Sequence, residues 1–181
     1  MVTVISPEYA ALNKQLYEAH EEYGAAADRD APGVVKFARK YGAKSLLDFG
    51  CGKGVLKPAL SRLAPELEVY EFDPAVPGKD TLPAMPVDVI AAMDVMEHIE
   101  PEYLDAVLQS MVGLAPKIVI MKICLVPAQK TLPDGRNAHI LLKPSSWWAE
   151  YLARYFSPRN AQELKDRTGA PTHFMYIAQP L

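Results

Sequence analysis

The sequence predicts an α/β domain, a mostly parallel sheet with helices on both faces, and three observations carry that prediction. Short apolar runs alternate with amphipathic stretches of helical period, an order that calls for crossover connections between parallel strands. Residues 87–92 are apolar but for Asp88, as expected of a strand buried on both faces. Residues 44–49 run straight into Gly50-Cys51-Gly52-Lys53-Gly54, a glycine turn that joins a strand to a helix.

Taken in order, Ser6-Pro7-Glu8 reads as an N-cap followed by proline at the first helical position. Tyr9, Leu12, Leu16 and Tyr23 then recur at near-helical spacing until Gly24, which predicts an amphipathic leading helix. Asp30-Ala31-Pro32 opens a second helix with Val34, Val35, Phe37, Ala38 and Tyr41 on its apolar face and Gly42 as its left-handed stop. The strand at 44–49 and the glycine turn follow, then a helix at 55–63 and a second strand at 68–72. After the third strand, Pro101 starts a helix whose apolar face is Tyr103, Leu104, Val107, Leu108 and Met111. Residues 117–125, rich in β-branched side chains, make the fourth strand.

Residues 126–138 contain Pro127, Pro133, Asp134-Gly135 and Asn137 and read as a long loop of the kind that carries function. His139 opens a brief apolar segment. Ser145 or Ser146 caps a helix running through Trp147, Trp148, Tyr151, Leu152 and Phe156. Residues 172–179 close the fold as a strand, paired through Gly169-Ala170-Pro171 with residues 161–167.

At 181 residues the chain makes one domain: an N-terminal helical lid or flank (1–28), a core (44–156) and a closing hairpin (157–181). Hydrophobic residues at 50% and charged residues at 23% exclude a disordered chain and a membrane-embedded one. No apolar run reaches the roughly 18 residues that span a bilayer, and residues 1–7 lack a signal peptide's features. With only Cys51 and Cys124, neither a disulfide framework nor a four-cysteine metal site is available, so a cytoplasmic location is expected. The net charge of -3 argues against binding duplex nucleic acid by its phosphates, but it divides into -8 over residues 1–116 and +5 over 117–181.

Spacing narrows the glycine turn. A dinucleotide fingerprint needs a third glycine where Val55 stands, and the phosphate loop GxxxxGK[ST] has no match. What remains is Asp48-x-Gly50-x-Gly52-x-Gly54, with Asp73 at the end of the next strand, 19 residues beyond Gly54. An α/β nucleotide site presents its ribose-binding carboxylate roughly 20 residues on.

Residues 46–54 resemble motif I of the class I S-adenosylmethionine-dependent methyltransferases. Asp88-Val-Ile-Ala-Ala-Met-Asp94-Val-Met-Glu97-His98-Ile99 is similar to the strand and Glu-His segment of many small-molecule members. The resemblance implies a Rossmann-like fold, S-adenosylmethionine as cofactor and a closing antiparallel strand. By it, Gly50, Cys51, Gly52 and Gly54 wrap the methionine part, Asp48 reaches the ammonium directly or through water, and Asp73 holds the ribose. Pro74 packs near adenine, and Met93 and Asp94 line the other side. Only 15 residues separate Asp73 from Asp88, too few for the family's next helix and strand, so that edge strand is expected to be missing or reduced to a proline-stiffened loop.

Methyl transfer needs a positioned nucleophile, exclusion of water and a base where the nucleophile carries a proton. His139 is the first candidate base, since its ordinary pKa suits neutral pH, with Asp94 and His98 as further catalytic candidates. His139 reads equally as a hydrogen-bonded structural residue. Asp94, Glu97, His98 and His139 have the ligand types of a metal site, but one contiguous cluster and one distant histidine are thin support, and no metal is expected. Lys130, Arg136, Asn137 and Trp147 are the candidate substrate residues, with Lys122 and Lys143 nearby, and their cations would favour an anionic acceptor such as a sugar phosphate, a nucleotide or a carboxylate metabolite. The Pro-Pro-aromatic tetrapeptide and the Pro-Cys pair of base-methylating enzymes are absent, which argues against nucleic acid and leaves a nucleotide open. The leading helix, with Tyr9, Tyr17, His20 and Tyr23, reads either as a lid or as a flank packed on the sheet. The alternative to an enzyme is a methyltransferase-like subunit that keeps the cofactor site without turnover. The oligomeric state is not encoded in any motif.

Overall fold

The computed structural model describes residues 3–20 and 27–181. Six strands form one sheet: β1 (Ser45–Phe49), β2 (Glu68–Phe72), β3 (Val89–Met93), β4 (Ile118–Cys124), β5 (Phe156–Lys165) and β6 (Pro171–Pro180). The order across it is β2-β1-β3-β4-β6-β5. The first four strands are parallel, β6 runs antiparallel to β4, and β5 antiparallel to β6. No strand forms among residues 73–88, so β2 is the sheet edge, as the short Asp73–Asp88 spacing requires.

The helices are α1 (Pro7–Ala19), α2 (Ala31–Lys40), α3 (Leu56–Leu63), α4 (Leu104–Gly113) and α5 (Ser145–Leu152). Side chains alternate across a strand, and the two faces of the sheet read off that alternation. Leu46, Val89, Ile118 and Ile120 face α2 and α3, meeting Val34, Val35, Leu56 and Leu60. Leu47, Ile90, Val119 and Met121 face the other way, into Leu104, Leu108, Met111, Trp148 and Leu152 of α4 and α5. Each face thus buries apolar surface at roughly 25 cal/mol per Å².

Local expectations are corrected at four places. The leading helix ends at Ala19, where His20 turns to extended backbone at φ -135°, short of the expected Tyr23, which with Gly24 lies outside the described residues. The brief apolar segment that His139 opens takes no regular secondary structure. Neither Ser145 nor Ser146 caps α5; Pro144 stands at the N-cap, and Ser145 Oγ donates instead to Glu163 Oε1 at 2.5 Å. The last helix stops at Leu152, and Phe156 begins β5, which makes the closing hairpin five residues longer at its start than residues 161–167. Most of β5 is exposed, with a register irregularity at Pro158–Asn160 that suits proline at a sheet edge.

Candidate active site

The chain leaves β1 outward to β2 and then crosses back to β3, so the carboxyl ends of β1 and β3 flank a switch point, the place where open α/β sheets hold ligands. A cleft of about 280 Å³ opens there, near the small end of the ~300–1,000 Å³ common for ligand pockets. Its described lining includes Asp48, Gly50, Cys51, Gly52, Asp73, Pro74, Met93, Asp94, His98 and His139. Ten of the positions singled out in the sequence therefore meet in one place.

The glycine turn owes its shape to left-handed backbone. Gly50 has φ 73° and Gly52 φ 49°, values that side chains disfavour. Gly50 N and Cys51 N both donate to Phe72 O, at 2.7 and 3.0 Å, and tie the turn to the end of β2. A Cβ at Gly52 would come no nearer than 3.7 Å to any side chain, that of Tyr17, so bare main chain faces the cleft. Gly54 is turned away from it, over the Lys79–Glu71 ion pair. Burial raises the Cys51 thiol pKa, which suits a packing residue rather than a nucleophile.

The Asp73 carboxylate closes the arrangement. Its Oδ2 accepts from Gly52 N at 2.9 Å and from Tyr17 Oη at 3.2 Å, and its Oδ1 accepts from Ala75 N at 2.9 Å. Burial raises its pKa against the opposing pull of those bonds. Asp48 is 3% exposed, and its Oδ2 is buried with no hydrogen-bond partner among the described residues. Burial first, and Glu71 next, push its pKa up to about 7.

At the ends of β3 and β4, Asp94 takes φ 57° and pairs through Oδ2 with Lys122 Nζ at 2.9 Å. Lys122 also pairs with Asp30 at 2.5 Å, so its charge is spent between two carboxylates. His98 Nδ1 lies 2.8 Å from Ala138 O and His139 Nδ1 2.6 Å from Val126 O. The two rings meet edge to face with centroids 4.7 Å apart. Burial and the neighbouring His139 push the His98 pKa down to about 3, and burial lowers that of His139, so both rings are neutral at pH 7. Glu97 is fully buried; its Oε1 accepts from Cys124 N at 3.0 Å, and burial together with Asp94 pushes its pKa up to about 8.

The expected substrate residues are placed elsewhere. Lys130, Arg136, Asn137 and Trp147 are not among the described residues lining the cleft. Asn137 pins its own loop, accepting from Ala128 N and His139 N and donating to Ala128 O. Arg136 pairs with Asp134 at 2.7 Å and lies over the Tyr9 ring. Lys130 Nζ lies 3.3 Å from His20 Nδ1, and Lys143 sits over Trp147, which packs beside the buried Trp148. Each cation already faces an anion or a ring.

Helix α1 lies over the cleft, contributing Tyr9, Asn13 and Tyr17 to its lining. Glu100 holds its start, accepting from Ser6 N and Oγ at 2.8 and 2.6 Å, and Lys53 Nζ donates to His20 O at 2.6 Å beyond its end. His173, which the sequence reading passed over, also lines the cleft, 3.6 Å from Asp94 Oδ1. Its register opposite Cys124 at the end of β4 puts it there. Among the described residues no helix is long and apolar enough to cross a membrane.

Solved structures with the same fold include the 1,6-didemethyltoxoflavin-N1-methyltransferase of Burkholderia thailandensis, with bound 1,6-didemethyltoxoflavin and S-adenosylhomocysteine. It is 16% identical, with a TM-score of 0.62 over 99% of this chain and 92% of that one. The N-methyltransferase NodS of Bradyrhizobium japonicum WM9, in complex with S-adenosylhomocysteine, is 13% identical, with a TM-score of 0.64 over 95% and 98%. A DhpI-SAM-HEP complex is 16% identical, with a TM-score of 0.59 over 96% and 95%. These likenesses establish a Rossmann-like methyltransferase fold. No curated protein matches the chain. A family profile described as "Methyltransferase domain" matches residues 17–169, most of the sequence, and the chain belongs to that family.

Proposed function

We propose that the protein transfers a methyl group from S-adenosylmethionine to an oxygen or nitrogen of a small molecule. The observation that carries this reading is the convergence of the glycine turn, the Asp73 carboxylate and the unpartnered Asp48 oxygen on one cleft. The residues fit the cofactor. Asp48 offers a buried carboxylate to an ammonium, the bare turn at Gly50–Gly52 leaves room for the methionine part, and Asp73 offers acceptors to ribose hydroxyls. Pro74 and Met93 supply apolar walls, and Asp94 stands at the far end. The bound cofactor supplies a methyl on a sulfonium centre, open to in-line displacement.

His139, neutral and on the cleft, is the residue we place as proton acceptor, with Asp94 and His98 beside it. Helix α1 excludes water from above through Tyr9 and Tyr17. Lys130, Arg136 and Lys143 are engaged outside the described lining and Lys122 is held between Asp30 and Asp94, so among the described lining residues no lysine or arginine favours an anionic acceptor over a neutral one. Supplying the protein with a methyl-labelled cofactor and a metabolite extract tests the reading. Label is expected in the small-molecule fraction, in a product heavier by one methyl group in place of hydrogen. Tight cofactor binding with no transferred label would instead mark a silent binding subunit.

Cofactor binding should strengthen as pH rises. Asp48 has a folded pKa of about 7, raised by burial and by Glu71 and Asp73 against the pull of Lys79, and only its ionised form attracts an ammonium. Below that pKa, affinity is expected to fall about tenfold per pH unit. For the ligand-free protein the sign is opposite. The raised pKa gives a stabilising contribution that is full below the ordinary 3.8 and is lost as pH rises through about 7. Calorimetry between pH 5.5 and 7.5 reads the first effect, and Asp48→Asn should flatten it; an equally steep profile in that variant would place the titration elsewhere.

A further inference from the structure

We infer that Glu97, His98 and His139 form a binding site for one divalent transition-metal ion at the wall of the cleft. One ligand atom from each, a carboxylate oxygen and two imidazole nitrogens, lies within 4.8 Å of the other two. The orientation of each donor follows from its hydrogen bonds. A carbonyl oxygen accepts only, so the contacts of His98 Nδ1 with Ala138 O and His139 Nδ1 with Val126 O put a proton on each Nδ1. The lone pair of each ring is therefore on Nε2. This backbone-held tautomer is the one by which metal-ligating histidines are commonly oriented.

Glu97 supplies the second, independent observation. Cys124 N occupies its Oε1, while Oε2 is fully buried with no hydrogen-bond partner among the described residues. An orphaned oxygen on a buried carboxyl group is costly, and a bound cation would satisfy it, displacing the proton that the buried acid otherwise holds. The Asp94 carboxylate nearby adds negative charge, as its influence on both Glu97 and His139 shows. Two imidazoles and one carboxylate suit zinc, cobalt, iron or manganese in the divalent state. With bonds of about 2.1 Å, an ion would draw the three donors together by about an ångström.

His98 and His139 face the cleft, so the ion's remaining coordination positions open onto it. Resting on the methyltransferase reading, that opening gives the acceptor its recognition: a hydroxyl or other hard donor coordinates there, beside the methyl-transfer site, and with the His139 lone pair committed to the ion the acceptor's proton passes to Asp94, which lines the same cleft.

The test uses the full chain, free of any histidine tag. Titration with Co²⁺ should give one equivalent bound and visible d–d absorption, displaced by Zn²⁺. Glu97→Gln keeps the side chain's shape and its bond to Cys124 N. His139→Ala removes a half-buried ligand. Each should lose more affinity than the roughly 10–100-fold that removal of an outer-shell partner costs, while cofactor affinity, which reports an intact cleft, is retained. Wild-type protein that binds cofactor but takes up no Co²⁺, Zn²⁺ or Mn²⁺ would overturn the metal site and leave the methyltransferase reading standing. Metal uptake without cofactor binding would do the reverse. Variants that bind metal as the wild type does would also overturn it.

Discussion

Asp73→Ala should weaken S-adenosylmethionine binding about a hundredfold or more, measured by calorimetry, while the variant still melts cooperatively. The carboxylate now accepts three hydrogen bonds, from Gly52 N, Tyr17 Oη and Ala75 N. Charge-assisted bonds are worth about 1.5–3 kcal/mol each, so two of them to ribose hydroxyls account for a loss of that size. Removing the carboxylate also leaves the Gly52 and Ala75 N–H groups without their acceptor, at about 1–3 kcal/mol each where water does not reach them. Asp73→Asn separates the two contributions, because the amide keeps one acceptor oxygen and loses the charge. It should melt close to wild type and bind about tenfold more weakly. An Asp73→Ala variant that binds within a factor of about three would show that this residue shapes the turn and does not hold the cofactor.

The first four strands are legible in the sequence because each is a short buried run, and their observed bounds fall within two residues of those expected. The glycine turn and Asp73 are legible for a related reason: a bend that needs left-handed backbone advertises itself in glycine, and the carboxylate follows at a fixed distance along the chain. The missing edge strand is a matter of counting residues. The errors fall where one pattern serves two structures. Trp148, Leu152 and Phe156 recur every four residues and read as a single helix face, yet the chain leaves the helix after Leu152 and Phe156 enters the same core from β5. The rest of β5 is an exposed edge without alternation, so nothing in its composition marks a strand.

Side-chain partners across long separations are the other thing a sequence conceals. A cluster of lysine and arginine in a loop reads as a surface for an anion, but Lys122 is consumed by Asp30 and Asp94, residues 92 and 28 positions earlier, and Arg136 by Asp134. Likewise His139 joins Glu97 and His98 because the loop folds back until Ala138 O meets His98 and Leu141 N meets Glu97 O. The spacing of 41 residues between the two histidines carries no sign of that.

The tightest constraint in the site is at Gly50, and Gly50→Ala is expected to destabilise the fold by about 2–5 kcal/mol. Two costs add. At φ 73° a side chain pays about 1–2 kcal/mol for left-handed backbone. A Cβ there would also stand 2.6 Å from both γ-methyl carbons of Val95, inside van der Waals contact, and overpacking of that kind costs about 1–3 kcal/mol. Main chain on either side has little freedom to yield, since Gly50 N and Cys51 N are both bonded to Phe72 O. The two costs separate in a double mutant. Val95→Ala removes both γ-methyls, so Gly50→Ala made in that background should cost only the backbone share, a coupling of about 1–3 kcal/mol by urea unfolding. Strict additivity would mean that the turn shifts rather than Val95. In that event, if the bare main chain of positions 50–52 holds the cofactor as proposed, cofactor affinity should fall in the single variant even at temperatures where it stays folded.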